Sequence, residues 1–182
     1  MRYVIMTLLT ALSAVNGQAQ KAWTWEPTSF FGVKFGQPLS ASYAECPHKI
    51  KSGKTIYQPN GGSTCWEHYG NDAVLLRAGE FFKIYVQSVD GKVASITASF
   101  KHSDFDKIAK ELIAKYGEPQ RRFHWPVSTK DGHNLPSEGL DWFGKDIQLS
   151  CMSQLPSPNE GEGLLGVDNR EWEKVIERIS HY

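Results

Sequence analysis

Residues able to do nucleophilic, acid–base or metal chemistry crowd into one stretch, Thr64-Cys65-Trp66-Glu67-His68-Tyr69-Gly70. A cysteine nucleophile needs an adjacent base and a depressed thiol pKa. A zinc site needs three or four convergent ligands, and Cys46 and His48 are the residues that could join Cys65. On a strand, however, Cys65 and Glu67 share one face while Trp66 and His68 share the other, so the thiol and the imidazole point apart. The remaining histidines are scattered: His102 precedes a helix, His124 lies in a strand, His133 in a loop and His181 at the end. None has the i, i+4 spacing of a zincin helix. Glu138 and Asp141 are the one pair that could model the two carboxylates of glycoside hydrolysis, but acidic residues beside a turn are ordinarily solvated. There is no G-x-S-x-G and no phosphate-cradling glycine loop before a helix. No catalytic residue, metal site or cofactor is therefore assigned.

The compartment decides what the cysteines do. The chain opens MRYVIMTLLTALSAVNGQAQ, with Arg2 as a short basic region and Val4 to Leu12 as an apolar one. Gly17 and Ala19 stand at the −3 and −1 positions of a cleavage site, which predicts a signal peptide over 1–19 and a mature domain over 20–182 in the periplasm or outside the cell. The apolar run is shorter than the ~20 residues that span a bilayer, and no membrane span is expected in the mature chain. In an oxidising compartment two of the three cysteines pair. Cys46–Cys65 is favoured because a turn-rich segment between them can fold back; Cys65–Cys151 is the second choice. Cys151 sits in phase with Ile147 and Leu149 and reads as a buried free thiol. The chain carries 20 basic and 20 acidic residues, and loss of Arg2 leaves 19 against 20. That balance gives no reason to expect nucleic acid or an anionic membrane as partner.

Periodicity supplies the scaffold. Phe31, Val33 and Phe35 alternate as a strand, stopped by Gly36 and Pro38, and Leu39 to Ala44 reads as a short helix. Asn60-Gly61 predicts a hairpin of Thr55–Gln58 with Thr64–Tyr69, and Ala73–Leu76 is an apolar strand. Phe82, Ile84 and Val86 must share a face with Ala94, Ile96, Ala98 and Phe100. The pairing Val86–Ile96, Ile84–Ala98 and Phe82–Phe100 achieves this, through a three-residue loop with a bulge and positive φ at Gly91. Phe105, Ile108, Ala109, Leu112, Ile113 and Tyr116 form one helical stripe, capped by Ser103 and ended by Gly117 and Pro119. Strands follow at Arg121–Val127, Leu140–Phe143 and Ile147–Met152, separated by the polar loop STKDGHNLPSEG, with a second loop at LPSPNEGEG. A second amphipathic helix is expected over 169–180, capped by Asp168, with Trp172, Val175, Ile176 and Ile179 in phase. The order predicts an α+β domain: a meandering antiparallel sheet with helices of about 103–116 and 169–180 on one face.

FFGVKFGQPLS near the predicted mature start, AECP after it, and DGKVASITASF running into DFDKIAKELIAKYGEP form a recognisable series. It resembles small exported proteobacterial proteins of unknown function with an F-G-[IV]-x-[FW]-G entry and an L-x-x-K-Y-G-x-P helix exit. The second pattern falls on Leu112, Lys115, Tyr116, Gly117 and Pro119, and the resemblance runs from about Phe30 to Pro119. A looser likeness is to the helix-plus-sheet domains of β-lactamase-inhibitor-like and small outer-membrane-assembly proteins. It implies binding or scaffolding and carries no catalytic residue.

The expected function is thus a non-enzymatic exported binding module, of inhibitor or immunity type, with a protein partner in the cell envelope. An accessory of an envelope or secretion assembly and a small envelope hydrolase using His and carboxylates are the alternatives. Exposed aromatics mark binding faces, and Trp66, His68, Tyr69 and Trp125 are the candidates; core packing is the competing role for them.

Overall fold

The computed structural model describes residues 23, 26–51, 54–57, 64–69, 72–76, 83–156, 159 and 161–170. The leader read over 1–19, Trp25, Asn60-Gly61 and Phe82 lie outside the described residues.

The strands are β1 (Ser29–Phe30), β2 (Val33–Lys34), β3 (His48–Lys51), β4 (Lys54–Tyr57), β5 (Cys65–Tyr69), β6 (Asp72–Leu76), β7 (Ile84–Val89), β8 (Lys92–Lys101), β9 (Arg121–Ser128), β10 (Asn134–Phe143), β11 (Ile147–Met152) and β12 (Glu162–Asn169). One helix, α1 (Phe105–Tyr116), follows β8. Strands β5 to β12 form a single antiparallel sheet in the order β5-β6-β7-β8-β12-β11-β10-β9. The chain climbs from β5 at one edge to β8 in the middle. It then crosses over through α1 to β9 at the far edge and meanders back, so that β12 closes beside β8.

The expected antiparallel sheet is therefore present, with one helix rather than two among the described residues. The second helix expected over 169–180 is not supported: Asp168 and Asn169 are the end of β12, and 171–180 lie outside the described residues. Other readings are corrected by pairing that local pattern does not encode. Strand β4 pairs with β3 in a separate two-stranded sheet, and β5 pairs with β6, so the hairpin expected across Asn60-Gly61 is not the pairing used. Phe31 and Gly32 take φ of 49° and 79° and fold β1 against β2, where a straight strand was expected. The short helix is a single 3-10 turn, Leu39–Ala41. Half of the polar loop before Leu140 belongs to β10, which begins at Asn134.

The β7–β8 hairpin keeps the expected register: Val86 faces Ile96 and Ile84 faces Ala98. The route differs. Asp90 and Gly91, with φ of 50° and 73°, make a two-residue turn. The shift from Ser88↔Val93 to Gln87↔Ser95 leaves Ala94 as the extra residue of a bulge. That bulge puts Val93 and Ile96, three apart, into the same core, which strict alternation forbids.

Helix α1 buries Phe105, Ala109, Leu112 and Tyr116 against Ile84, Ile96, Leu140, Trp142 and Val167. Trp142 is wholly buried. Removing a side chain of that size from water is worth about 5 kcal/mol before its entropy cost. The expected cap at Ser103 is replaced by a 3-10 turn, His102–Asp104, with Asp104 at the N-cap and no side-chain cap bond. At the other end Gly117, with φ 82°, stops the helix as expected. Two indoles then serve its last carbonyls: Trp23 Nε1 donates to Tyr116 O at 3.1 Å and Trp142 Nε1 to Gly117 O at 2.8 Å. Trp23 is thereby fixed as a core residue. Glu26 extends the same strap, its carboxylate accepting the backbone N–H groups of Lys145, Asp146 and Ile147.

Cys46 and Cys65 form the expected disulfide, 19 residues apart in sequence. It ties the 44–46 segment to the edge of the sheet, where Cys46 N donates to Trp66 O at 2.8 Å and Trp66 N to Ala44 O at 3.1 Å. Replacing both cysteines by alanine is expected to lower the unfolding free energy in urea by about 3 kcal/mol. Added reductant should cost the parent chain a similar amount and leave the double variant unchanged.

Candidate functional site

In β5 the alternation holds. Trp66 and His68 lie together, ring centroids 4.8 Å apart and edge to face, while Cys65 is committed to the disulfide. Trp66 is half-buried, packs against the core and donates its Nε1 to Tyr43 O at 3.0 Å. His68 is exposed. Tyr69 ends β5 opposite Asp72. Trp125 is on β9, at the opposite edge of the eight-stranded sheet. The register also places it on the other face: Phe123 covers Gly139 and Trp125 lies across from Ser137, whereas Trp66 lies across from the core residue Leu75. The four candidate face residues thus do not form one patch.

Trp125 has different neighbours. Along β9, Arg121, Phe123 and Trp125 share a face. Phe123 and Trp125 stack with centroids 5.0 Å apart, and the Arg121 guanidinium lies 4.8 Å over Phe123 and 5.3 Å over Phe143. Beneath it sits Asp141, 1% exposed, bound by Arg121 Nε at 2.7 Å and Nη2 at 2.5 Å. A buried carboxylate without a partner costs several kcal/mol, so Arg121 is held in one place, and the rings are held with it. Gly139 supplies the space: a Cβ there would lie 2.3 Å from the Phe123 ring. The result is a rigid strip of three rings and one guanidinium along the sheet edge. The sequence alone singles out Trp125 on this strand but not Arg121 or Phe143. The i, i+2 spacing of Arg121, Phe123 and Trp125 was the available signal.

Among the described residues, α1 and the N-terminal strap pack on one face of the sheet only. The other face presents half-buried Tyr85, Thr97, Gln148, Ser150 and Leu164 beside the strip.

The carboxylates read as a pair are separated. Asp141 is consumed by Arg121, and Glu138, three residues earlier on β10, faces the opposite side, 3.5 Å from Arg122 Nη1. Glu138 instead lies across from His124. Both line a cleft of about 370 Å³ that also receives His102, Ser103 and Asp106. His102 Nδ1 is 2.7 Å from Ser153 O. A carbonyl only accepts, so Nδ1 donates this bond. Ser153 Oγ in turn accepts Glu138 N–H at 2.8 Å. Among the described residues no group of three or more His, Cys, Asp or Glu is placed to hold a metal ion.

Comparison with protein-family models, with curated proteins and with solved structures finds no match for this chain. Among the described residues no helix is long and apolar enough to cross a membrane. That and the disulfide are compatible with an exported protein.

Cys151 is free and fully buried, as expected. Burial pushes its thiol from the ordinary 9.0 up to about 12, and the charge of Glu138 adds to the rise. A folded-state pKa above the unfolded one gives a stability contribution that is complete below about pH 9 and is lost as the pH climbs towards 12. Cys151→Val should flatten that alkaline loss in pH-dependent urea unfolding. At pH 8, iodoacetamide should modify the native thiol ~10³-fold more slowly than the unfolded one, the ratio of their thiolate fractions.

Proposed function

We propose that the protein is an exported, non-enzymatic binding module of inhibitor or immunity type, acting on a protein of the cell envelope. The observation that supports it is the Arg121-Phe123-Trp125-Phe143 strip. Large, rigid, amphipathic rings and a pre-placed guanidinium are the residue types that dominate binding energy at protein interfaces. Their conformational entropy is already lost in the free protein, because the buried Asp141 carboxylate fixes them. Half-buried Thr97, Gln148 and Ser150, on the face opposite α1 among the described residues, supply polar groups beside them.

Crosslinking pull-downs from envelope extract test it. One envelope protein should be recovered in stoichiometric amount by the parent chain and reduced at least ~10-fold by Trp125→Ala, a loss of about 1.4 kcal/mol or more. His68→Ala, at the other edge, should leave recovery unchanged. Recovery that is equal for all three chains rejects the strip as the contact surface.

A small hydrolase is the second reading, supported by the cleft in which His124 and Glu138 meet His102. His102 Nε2 would serve as general base there. Turnover of a nitrophenyl ester, phosphate or glycoside that His102→Gln lowers by about 10² would support it. Turnover that is absent, or unaffected by the substitution, removes it.

A further inference from the structure

The F-G-V-K-F-G stretch has a structural consequence beyond the turn it makes. Phe31 is held at φ 49°, a left-handed conformation that is strained for a non-glycine residue. Tyr43 enforces it: its hydroxyl donates to Phe31 O at 2.8 Å and fills the space where a Cβ on Gly32 would stand. The ring of Phe31 is only half-buried, and it lies edge-on to Phe30 at 4.8 Å. The strained turn therefore places an aromatic ring as the wall of an apolar cleft on α1.

That cleft holds about 210 Å³ and is lined by Phe31, Ile108, Leu112 and Leu165. An apolar cavity of roughly 150 Å³ accepts a benzene ring, so this one has room for a ring and two or three methylenes. Among the described residues one cation serves it. The Lys115 ammonium lies 5.0 Å over the Tyr116 ring and 6.0 Å over the Phe30 ring, folded back along the lining. Glu111, one helical turn earlier, lines the same cleft. A negative head is attracted to the Lys115 end and repelled from the Glu111 end, which sets the direction in which a ligand lies.

We propose that this cleft binds a monocarboxylate with one compact apolar body, such as an arylalkanoate. The body packs between Phe31, Ile108 and Leu112, and the carboxylate meets Lys115. The site is on the helix side of the sheet and is independent of the β9 strip.

The test is titration of the isotope-labelled full chain with 3-phenylpropionate and with its neutral amide, followed by NMR. The acid should give saturable shifts centred on Phe31, Ile108 and Lys115. The amide should bind roughly 5-fold more weakly, the factor for an exposed charge pair of about 1 kcal/mol. Lys115→Gln, an exposed position that leaves the fold intact, should abolish the difference between acid and amide. Ile108→Trp should fill the cleft and remove binding of both, with an unchanged melting temperature confirming the fold. Shifts that do not saturate by ~10 mM overturn the proposal. So do equal affinities of acid and amide for the parent chain, or acid binding that survives Ile108→Trp.

Discussion

Strand β12 pairs with β8 on one side and β11 on the other, and that double pairing makes one sheet out of two meanders. Before it forms, β5 to β8 and β9 to β11 are separate ladders joined only through α1. Leu165 and Val167 of β12 complete the apolar floor on which the helix lies. Gly163 leaves room for the Phe100 ring, which would meet a Cβ there at 2.3 Å. The contact joins residues some sixty positions apart, so the chain must close a long loop before that pairing stabilises anything. The sheet's width depends on it, and so do the two surfaces that the sheet presents.

Those surfaces are built by opposite means. On the covered face, order comes from close packing: Ile84, Ile96, Leu140, Trp142, Leu149 and Val167 are all fully buried under α1. The helix end is fixed there by two indole donors from distant parts of the chain. On the other face, order at the β9 edge comes from one buried charge. Asp141 requires Arg121, Arg121 lies over Phe123 and Phe143, and Phe123 lies on Gly139 and against Trp125. An electrostatic demand is thereby converted into a fixed aromatic surface. The edge is also guarded. Phe143 directs its backbone towards the β9 side, where Trp23 N and the Gln120 side chain bond it. Alternation then points the N position of residue 126 outwards, and residue 126 is proline, which has no N–H to offer a passing strand.

The reactive-looking Cys65-Trp66-Glu67-His68 stretch resolves into scaffold. The thiol is in the disulfide, Trp66 is packed against the core, and His68 leans on Trp66 in solvent. The groups that do converge, His102, His124 and Glu138, come from the 3-10 turn before α1 and two paired strands. No sequence spacing announces them.

Period and parity by themselves determined the helix from Phe105 to Tyr116 with its stop at Gly117, the β7–β8 register, and the separation of Cys65 from His68. These are short-range consequences of which residues must share a face. Compartment logic likewise gave the Cys46–Cys65 pairing and the buried Cys151. Only the tertiary structure decided what pairs with what over distance. Glu162 and Gly163 read as the end of the LPSPNEGEG loop and Asp168 as a helix cap, because the alternating Gly163, Leu165 and Val167 of β12 are buried only when β8 and β11 flank them. Trp66 and Trp125 look alike in sequence, yet they fall on opposite faces and opposite edges. Asp141 looks solvated until β9 brings Arg121 over it. In each case the deciding partner lies far along the chain, and a local pattern holds no information about a neighbour that folding alone supplies.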